Sequence, residues 1–320
     1  MEFDLENPLT DLEDLTSDSV ASLFLTESDH MPSHSYFSSL QAGDMDILVR
    51  REAIASIAQF LTFRSSFMQF SCNFDPLLSY LAVNYLDRFL SCHLMLQPKQ
   101  WVIKLLAISC VSLAAKMKKT DISISDFQGD AGIIFDTRTI GRMETLILGA
   151  LKWRMRSVTP FSFISHFISL FKLQDPPLTQ ALKARAVHII FKAQKDINFL
   201  VYNPSIVSAS ALLSASHELF PLQFPCFRNA LSNCSYLNKD NLLHCYNALQ
   251  AVVLEEYESV SEAVSSTVTP VNVLDQIFSS SESGKSNTVT TLRLERDIKR
   301  RKISHYCHNQ TVHVSQIRQF

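Results

Sequence analysis

Apolar positions recur three and four residues apart from Ile47 to Tyr257, and proline, aspartate and asparagine punctuate them. That spacing is the signature of amphipathic helices packed on a core. A first helix is predicted from about Ile47 to Met68. Asp75-Pro76 supplies an N-cap and a proline at the first helical position, opening a helix to about Ser91 with Leu77, Leu78, Leu81, Tyr85 and Phe89 inward. Pro98 opens the next, to about Met117; it is apolar nearly all round and is predicted to be central. Shorter helices are predicted at Ser123–Gln128 and Asp136–Leu151.

The pattern then restarts. Pro160 opens a helix to about Phe171, and another is predicted from Leu178 to Phe199. Pro204 opens a third, to about Phe220, rich in Ser and Ala so that neighbours approach closely. Helices at Pro225–Asn233 and Asp240–Tyr257 complete the block. Two blocks of about five helices each read as a structural repeat. The expected organisation is a leader over 1–45, helical blocks over 46–155 and 156–258, and a tail over 259–320.

Composition supports an all-α reading. The 320 residues include only six glycines, too few for the turns of sandwiches and barrels or for a phosphate-binding loop. Charge is uneven. Residues 1–49 hold eleven Asp/Glu and no Lys/Arg, whereas the remainder holds 29 basic and 20 acidic residues. The acidic, Ser-rich leader is expected to be disordered, although Leu5, Leu9 and Leu12 share one face of a short helix that a partner would induce. It has neither the basic start nor the apolar stretch of a secretory signal. The most apolar run, Trp101 to Ala115, is shorter than the ~20 residues a bilayer needs and carries Lys104. Seven cysteines without a C-x-x-C pair suggest reduced, intracellular thiols.

No dinucleotide, P-loop, nucleophile-elbow or zincin motif occurs, so neither a cofactor nor a catalytic residue is expected. His305, Cys307, His308 and His313 lack the paired spacing of a structural zinc site, and no metal is expected. The region 259–291 is Ser/Thr-rich with Pro270, which suits a linker or a degradation-controlling segment. Lys299, Arg300, Arg301 and Lys302 follow it as a candidate nuclear import signal, the alternatives being a nucleic-acid patch or a solvated run.

Five strings carry an identity. They are VRREAI from Val49, LAVNYLDRFLS from Leu81, SLAAKMKKT ending the central helix, GRMETLILGALKWRM from Gly141, and SVTPFSFISHF from Ser157. In this order they resemble the cyclin box, and their wording is most similar to the D-type cyclins of plants, with a short length that suggests the sixth subgroup. The resemblance covers about residues 45–255. It implies a cyclin fold of two tandem five-helix bundles with flexible N- and C-terminal tails. It further implies a regulatory, non-enzymatic subunit that activates a cyclin-dependent kinase of the PSTAIRE type and promotes the G1/S transition, in the nucleus and with the cytoplasm left open.

Residue roles follow from the same resemblance. Arg50 and Asp87 match an ion pair that fixes helix packing. Leu105, Lys116 and Glu144 match residues that meet the kinase near its mobile regulatory helix. Taken alone, Lys116 equally suits a helix C-terminus, Glu144 a solvated charge, and Asp87 with Arg88 an exposed polar stripe. Lys118-Lys119 stand where the family commonly has acidic residues, which predicts weaker or redirected kinase binding. The substrate-docking patch falls at Val49, Glu52, Ala53 and Ser56, beside Lys104, and is too polar to form the usual groove. No L-x-C-x-E string occurs in the leader, so a retinoblastoma-like substrate is not specified. Kinase-inhibitor proteins are further implied partners, and neither a membrane nor direct nucleic-acid contact is expected. Two rival readings stand beside this one: a degenerate cyclin that sequesters a kinase or inhibitor without activating it, and a cyclin-fold transcription module. The second sits poorly with a net charge of only +4 over residues 50–292, from 22 basic and 18 acidic side chains.

Overall fold

Asp75 opens its helix as the sequence predicts: one carboxylate oxygen accepts from the Leu77 and Leu78 amides at 3.0 and 3.4 Å, and Pro76 follows. The computed structural model describes residues 17–67, 75–93, 98–120 and 135–265. Among them the helices are α1 Ser17–Thr26, α2 His34–Ala42, α3 Asp44–Phe67, α4 Pro76–Cys92, α5 Gln100–Met117 and α6 Thr137–Ala150. They continue as α7 Phe161–Phe171, α8 Pro176–Ala193, α9 Pro204–Leu219, α10 Phe224–Ser232 and α11 Lys239–Ser265. Short 3-10 turns stand at Glu27–His30 and Ile197–Val201. No strand occurs among the described residues, and the fold is all-α as expected.

The first box packs α3, α4 and α6 around α5. By length and composition α5 would suit a membrane span, but it is buried continuously from Leu105 to Ala115 and forms the core of this box. The second box packs α7, α8, α10 and α11 around α9, whose Ser and Ala side chains are buried from Ser205 to Ser216. The five helices expected there are all present. The predicted helix at Ser123–Gln128 lies outside the described residues.

Two expectations need correction. The helix predicted from Leu178 to Phe199 stops at Ala193. The carbonyls just beyond it, those of Gln194 and Lys195, accept hydrogen bonds from Arg50 of α3, so a tertiary contact holds the chain where it leaves the helix. The leader is the second. Residues 17–42 are folded, and only 1–16 of the predicted disordered leader lie outside the described residues.

The leader holds because the body supplies partners that no local pattern reveals. Phe24 sits between Phe163 and Tyr236, with ring centroids 4.8 and 4.6 Å away and the tyrosine stacked within 8°. Glu27 is buried and caps α9 from outside: its carboxylate accepts from the Ser205 amide, the Ser205 hydroxyl and the Asn203 side chain at 2.8–2.9 Å. Asp29 pairs with Arg154 at 2.9 Å, and the His30 carbonyl accepts from Asn84 of α4 at 3.1 Å.

This seat gives the chain an acid-sensitive joint. Burial, and then the Arg88 charge, pushes the His30 pKa down from 6.5 to about 4, so the folded imidazole is neutral. The unfolded chain therefore takes up a proton that the folded chain refuses. Stability is full above pH 6.5 and is lost as pH falls from there toward about 4. Burial raises the Glu27 carboxyl pKa, which adds stability on acidification and opposes the loss at the acid end of this window. Urea-unfolding midpoints between pH 7 and about 5 are expected to fall in the parent chain and to stay level in His30→Gln; equal slopes would rule His30 out.

Candidate functional site

The apolar stripe of α6 runs Ile140, Glu144, Ile147, all buried at helical spacing. A carboxylate on such a stripe needs partners, and α5 provides them one turn apart. Ser112 donates to Glu144 Oε1 at 2.6 Å, and the Lys116 ammonium reaches Oε1 and Oε2 at 2.7 Å each. The glutamate side chain is 11% exposed and the lysine side chain 57%. The carboxylate is thus locked from below while the ammonium stands half out in solvent.

α6 runs on past this pair. Leu148 lies one turn on from Glu144 and is half-buried. At the end of α6, Lys152 and Trp153 both take left-handed backbone, with φ of 51° and 59°. Their amides close the helix by donating to the Gly149 and Leu148 carbonyls at 3.0 and 2.9 Å. Left-handed conformation costs a non-glycine residue about 1–2 kcal/mol. Here it leaves the Trp153 side chain 70% exposed. An exposed indole on strained backbone at the end of the helix that carries a fixed ion pair is a feature of contact surfaces.

A second ion pair, fully buried, forms a polar joint between α3 and α4. Arg50 Nε and Nη2 meet the two Asp87 oxygens at 2.7 and 3.0 Å, and the same guanidinium donates to the Lys195 and Gln194 carbonyls at 2.9 Å. Tyr36 of α2 adds a 3.4 Å contact to Asp87. Burial opposes the Arg50 charge, but the Asp87 carboxylate more than offsets it, and the arginine pKa is raised. Arg88 is buried as well and donates to Ser157 at 3.0 Å, so the exposed polar stripe considered for Asp87 and Arg88 is not present. One arginine therefore joins α3, α4 and the end of α8 across both boxes.

The structure brings Lys116 to Glu144 and Arg50 to Asp87, but it separates Leu105 from the first pair. Leu105 is a buried residue eleven positions before Lys116, about 16 Å along the helix. Leu113, three residues before Lys116, is the α5 leucine beside the pair. The expected docking patch is also not a surface groove. Val49, Ala53 and Ser56 are buried on the inward face of α3, with Ser56 donating to the Glu52 carbonyl at 2.9 Å, and only Glu52 of the four is half-exposed. Lys118 does not carry its charge to the surface. It pairs with Asp75 at the start of α4, with 12% of its side chain exposed. Lys299, Arg300, Arg301 and Lys302 lie outside the described residues.

Residues 18–156 match the family model for the cyclin N-terminal domain, and residues 158–283 match that for the cyclin C-terminal domain. The chain belongs to the cyclins. Its relatives are the D-type cyclins of plants. It is 50% identical to the putative cyclin-D6-1 of Arabidopsis thaliana over 95% of this chain and 99% of that one. To cyclin-D6-1 of Oryza sativa it is 37% identical, over 94% and 90% of the two chains. A viral cyclin from herpesvirus saimiri superposes with a TM-score of 0.57 at 20% identity, over 74% of this cyclin and 96% of the viral chain, and so shares its fold. Cyclins are regulatory subunits, not enzymes. Trp153 stood in one of the identifying strings of this cyclin, but its exposure depends on two successive left-handed residues that no composition signals.

Proposed function

We propose that this cyclin is the activating subunit of a PSTAIRE-type cyclin-dependent kinase and promotes the G1/S transition. The observation that carries the reading is the Lys116–Glu144–Ser112 cluster, which fixes a half-exposed ammonium on the surface of the first box. An isolated kinase of this class leaves its regulatory helix misplaced and its catalytic Lys–Glu pair unformed. A partner that binds the active arrangement more tightly shifts the population by that difference in affinity. The chemistry asks for rigid apolar surface with a few fixed charges, and a charge already locked by Ser112 loses little freedom on binding.

The test is co-purification with such a kinase followed by a phosphorylation assay on a histone or retinoblastoma-like substrate. Stable binding with activity is the expected result. Binding without activity would favour the sequestering reading, and no binding to any kinase of the class would overturn both.

Substrate choice follows from the buried docking residues. Burial of Val49, Ala53 and Ser56 supports a docking patch too poor in exposed apolar side chains to hold peptides bearing Arg-x-Leu. Titration of such a peptide onto the purified complex is expected to give no binding in the micromolar range; affinity at that level would refute the prediction. Kinase inhibitors that dock through the same motif are expected to be equally weak partners. Nuclear entry through Lys299, Arg300, Arg301 and Lys302 belongs to the same proposal.

A further inference from the structure

Thr26 ends α1 and is exposed, while the next residue, Glu27, is buried on α9. Its Oγ1 donates to the Ser22 carbonyl at 2.9 Å and so satisfies one of the last acceptors of the helix. The chain continues Glu27-Ser28-Asp29, which places carboxylates at the first and third positions after the hydroxyl. Acid groups at those positions complement the basic substrate groove of acidophilic Ser/Thr kinases. We propose that Thr26 is a regulatory phosphorylation site for an acidophilic protein kinase, and that its phosphate releases α1 and the 3-10 turn Glu27–His30 from the second box. The proposal does not depend on the kinase-subunit reading above.

The transfer takes phosphate from a nucleoside triphosphate. The bond from Thr26 Oγ1 to the γ-phosphorus forms as the bond from that phosphorus to the bridging oxygen breaks. The hydroxyl proton passes to the carboxylate base of the modifying kinase, and the nucleoside diphosphate leaves. The last turn of α1 is followed only by the short 3-10 turn Glu27–His30, and fraying at this junction offers Thr26 to the enzyme in extended form. The modification captures that open state and holds it.

Three effects keep the modified leader off. The phosphate oxygen has lost the proton that bound Ser22. A charge of about −1.5 to −2 now stands at the C-terminal end of a helix, where the macrodipole is already negative. It also adjoins the Glu27 carboxylate, whose seat beneath Asn203 and Ser205 is already a costly place for one negative charge. The 3-10 turn that follows is a single four-residue turn and offers few amides in compensation. Release uncovers Phe163 and Tyr236 where Phe24 now lies, and it frees Arg154 beside Trp153 from Asp29.

The experiment treats the full chain with a purified acidophilic kinase of the casein-kinase type and ATP, maps the phosphate by peptide mass, and follows amide hydrogen exchange. Phosphate at Thr26 is expected, with exchange over residues 17–30 faster by about tenfold or more. The Ser205 amide, which Glu27 now caps, is expected to lose protection in parallel. Thr26→Ala is expected to keep its protection and to take no phosphate there, while Thr26→Ser takes phosphate and loosens. Phosphate confined to other residues, no phosphate at all, or modified Thr26 with unchanged or slower exchange would each overturn the proposal.

Discussion

Arg50→Ala and Asp87→Ala are each expected to lower the stability of this cyclin by about 3–5 kcal/mol, because either change strands a buried charge. Without Arg50, the Asp87 carboxylate keeps only the 3.4 Å Tyr36 hydroxyl among the contacts described above, and the Gln194 and Lys195 carbonyls lose their donors. Without Asp87, the guanidinium retains two carbonyls and loses its bonded counter-charge, leaving only the weaker field of Asp196. At about 2–4 °C per kcal/mol for a chain of this size, the midpoint of thermal unfolding is expected to fall by roughly 6–20 °C. The double variant Arg50→Met, Asp87→Leu removes both charges together and is expected to lose much less than the two singles summed. Single losses below about 1 kcal/mol, or additive losses, would mean that the pair is not a buried joint.

Charge reversal at Lys116 is expected to weaken kinase binding by about 2–5 kcal/mol, or roughly 30-fold to several-thousand-fold. Lys116→Glu sets a carboxylate against Glu144 and reverses the field at the centre of the proposed interface. Lys116→Met is the milder case: Ser112 still holds Glu144, so the fold is retained while the positive charge is lost. The informative variant is the exchange Lys116→Glu with Glu144→Lys. It restores attraction between α5 and α6 and is expected to rescue stability without rescuing affinity, read by unfolding and by titration of the kinase. An exchanged pair that binds the kinase as the parent does would reduce Lys116 and Glu144 to a structural clasp and remove the main support for the proposed function.

The readable features were those set by near neighbours in the chain. The Asp75-Pro76 cap, the all-round apolar α5 and the small-residue α9 stand where spacing placed them, since each rests on contacts within a few turns. The inward face of α3 was legible too: Val49, Ala53, Ser56 and Phe60 recur at helical spacing, and that pattern opposed a surface patch. The leader was not legible, because Glu27 finds Asn203 and Ser205 176 and 178 positions away. Lys118 is similar. Read along the chain it is an extra positive charge near the kinase surface, and only the antiparallel packing of α4 and α5 brings it to Asp75, 43 positions earlier. The separation of Leu105 from Lys116 needed no structure, since eleven residues of helix already span about three turns.

The seat of the leader also fixes an order of events at the ribosome. Phe24 and Glu27 are synthesised well before Ser205 and Tyr236, which receive them. At roughly 5–20 residues per second, the 178 positions between Glu27 and Ser205 take about 10–40 s to translate. Throughout that interval the Glu27 carboxylate lacks its seat, and the Phe24 ring gains its α7 partner Phe163 only near the end of it, so the leader emerges as an incompletely sheltered segment that chaperones can hold. An intact leader contact therefore marks a chain that has been made at least as far as Tyr236, on the threshold of α11.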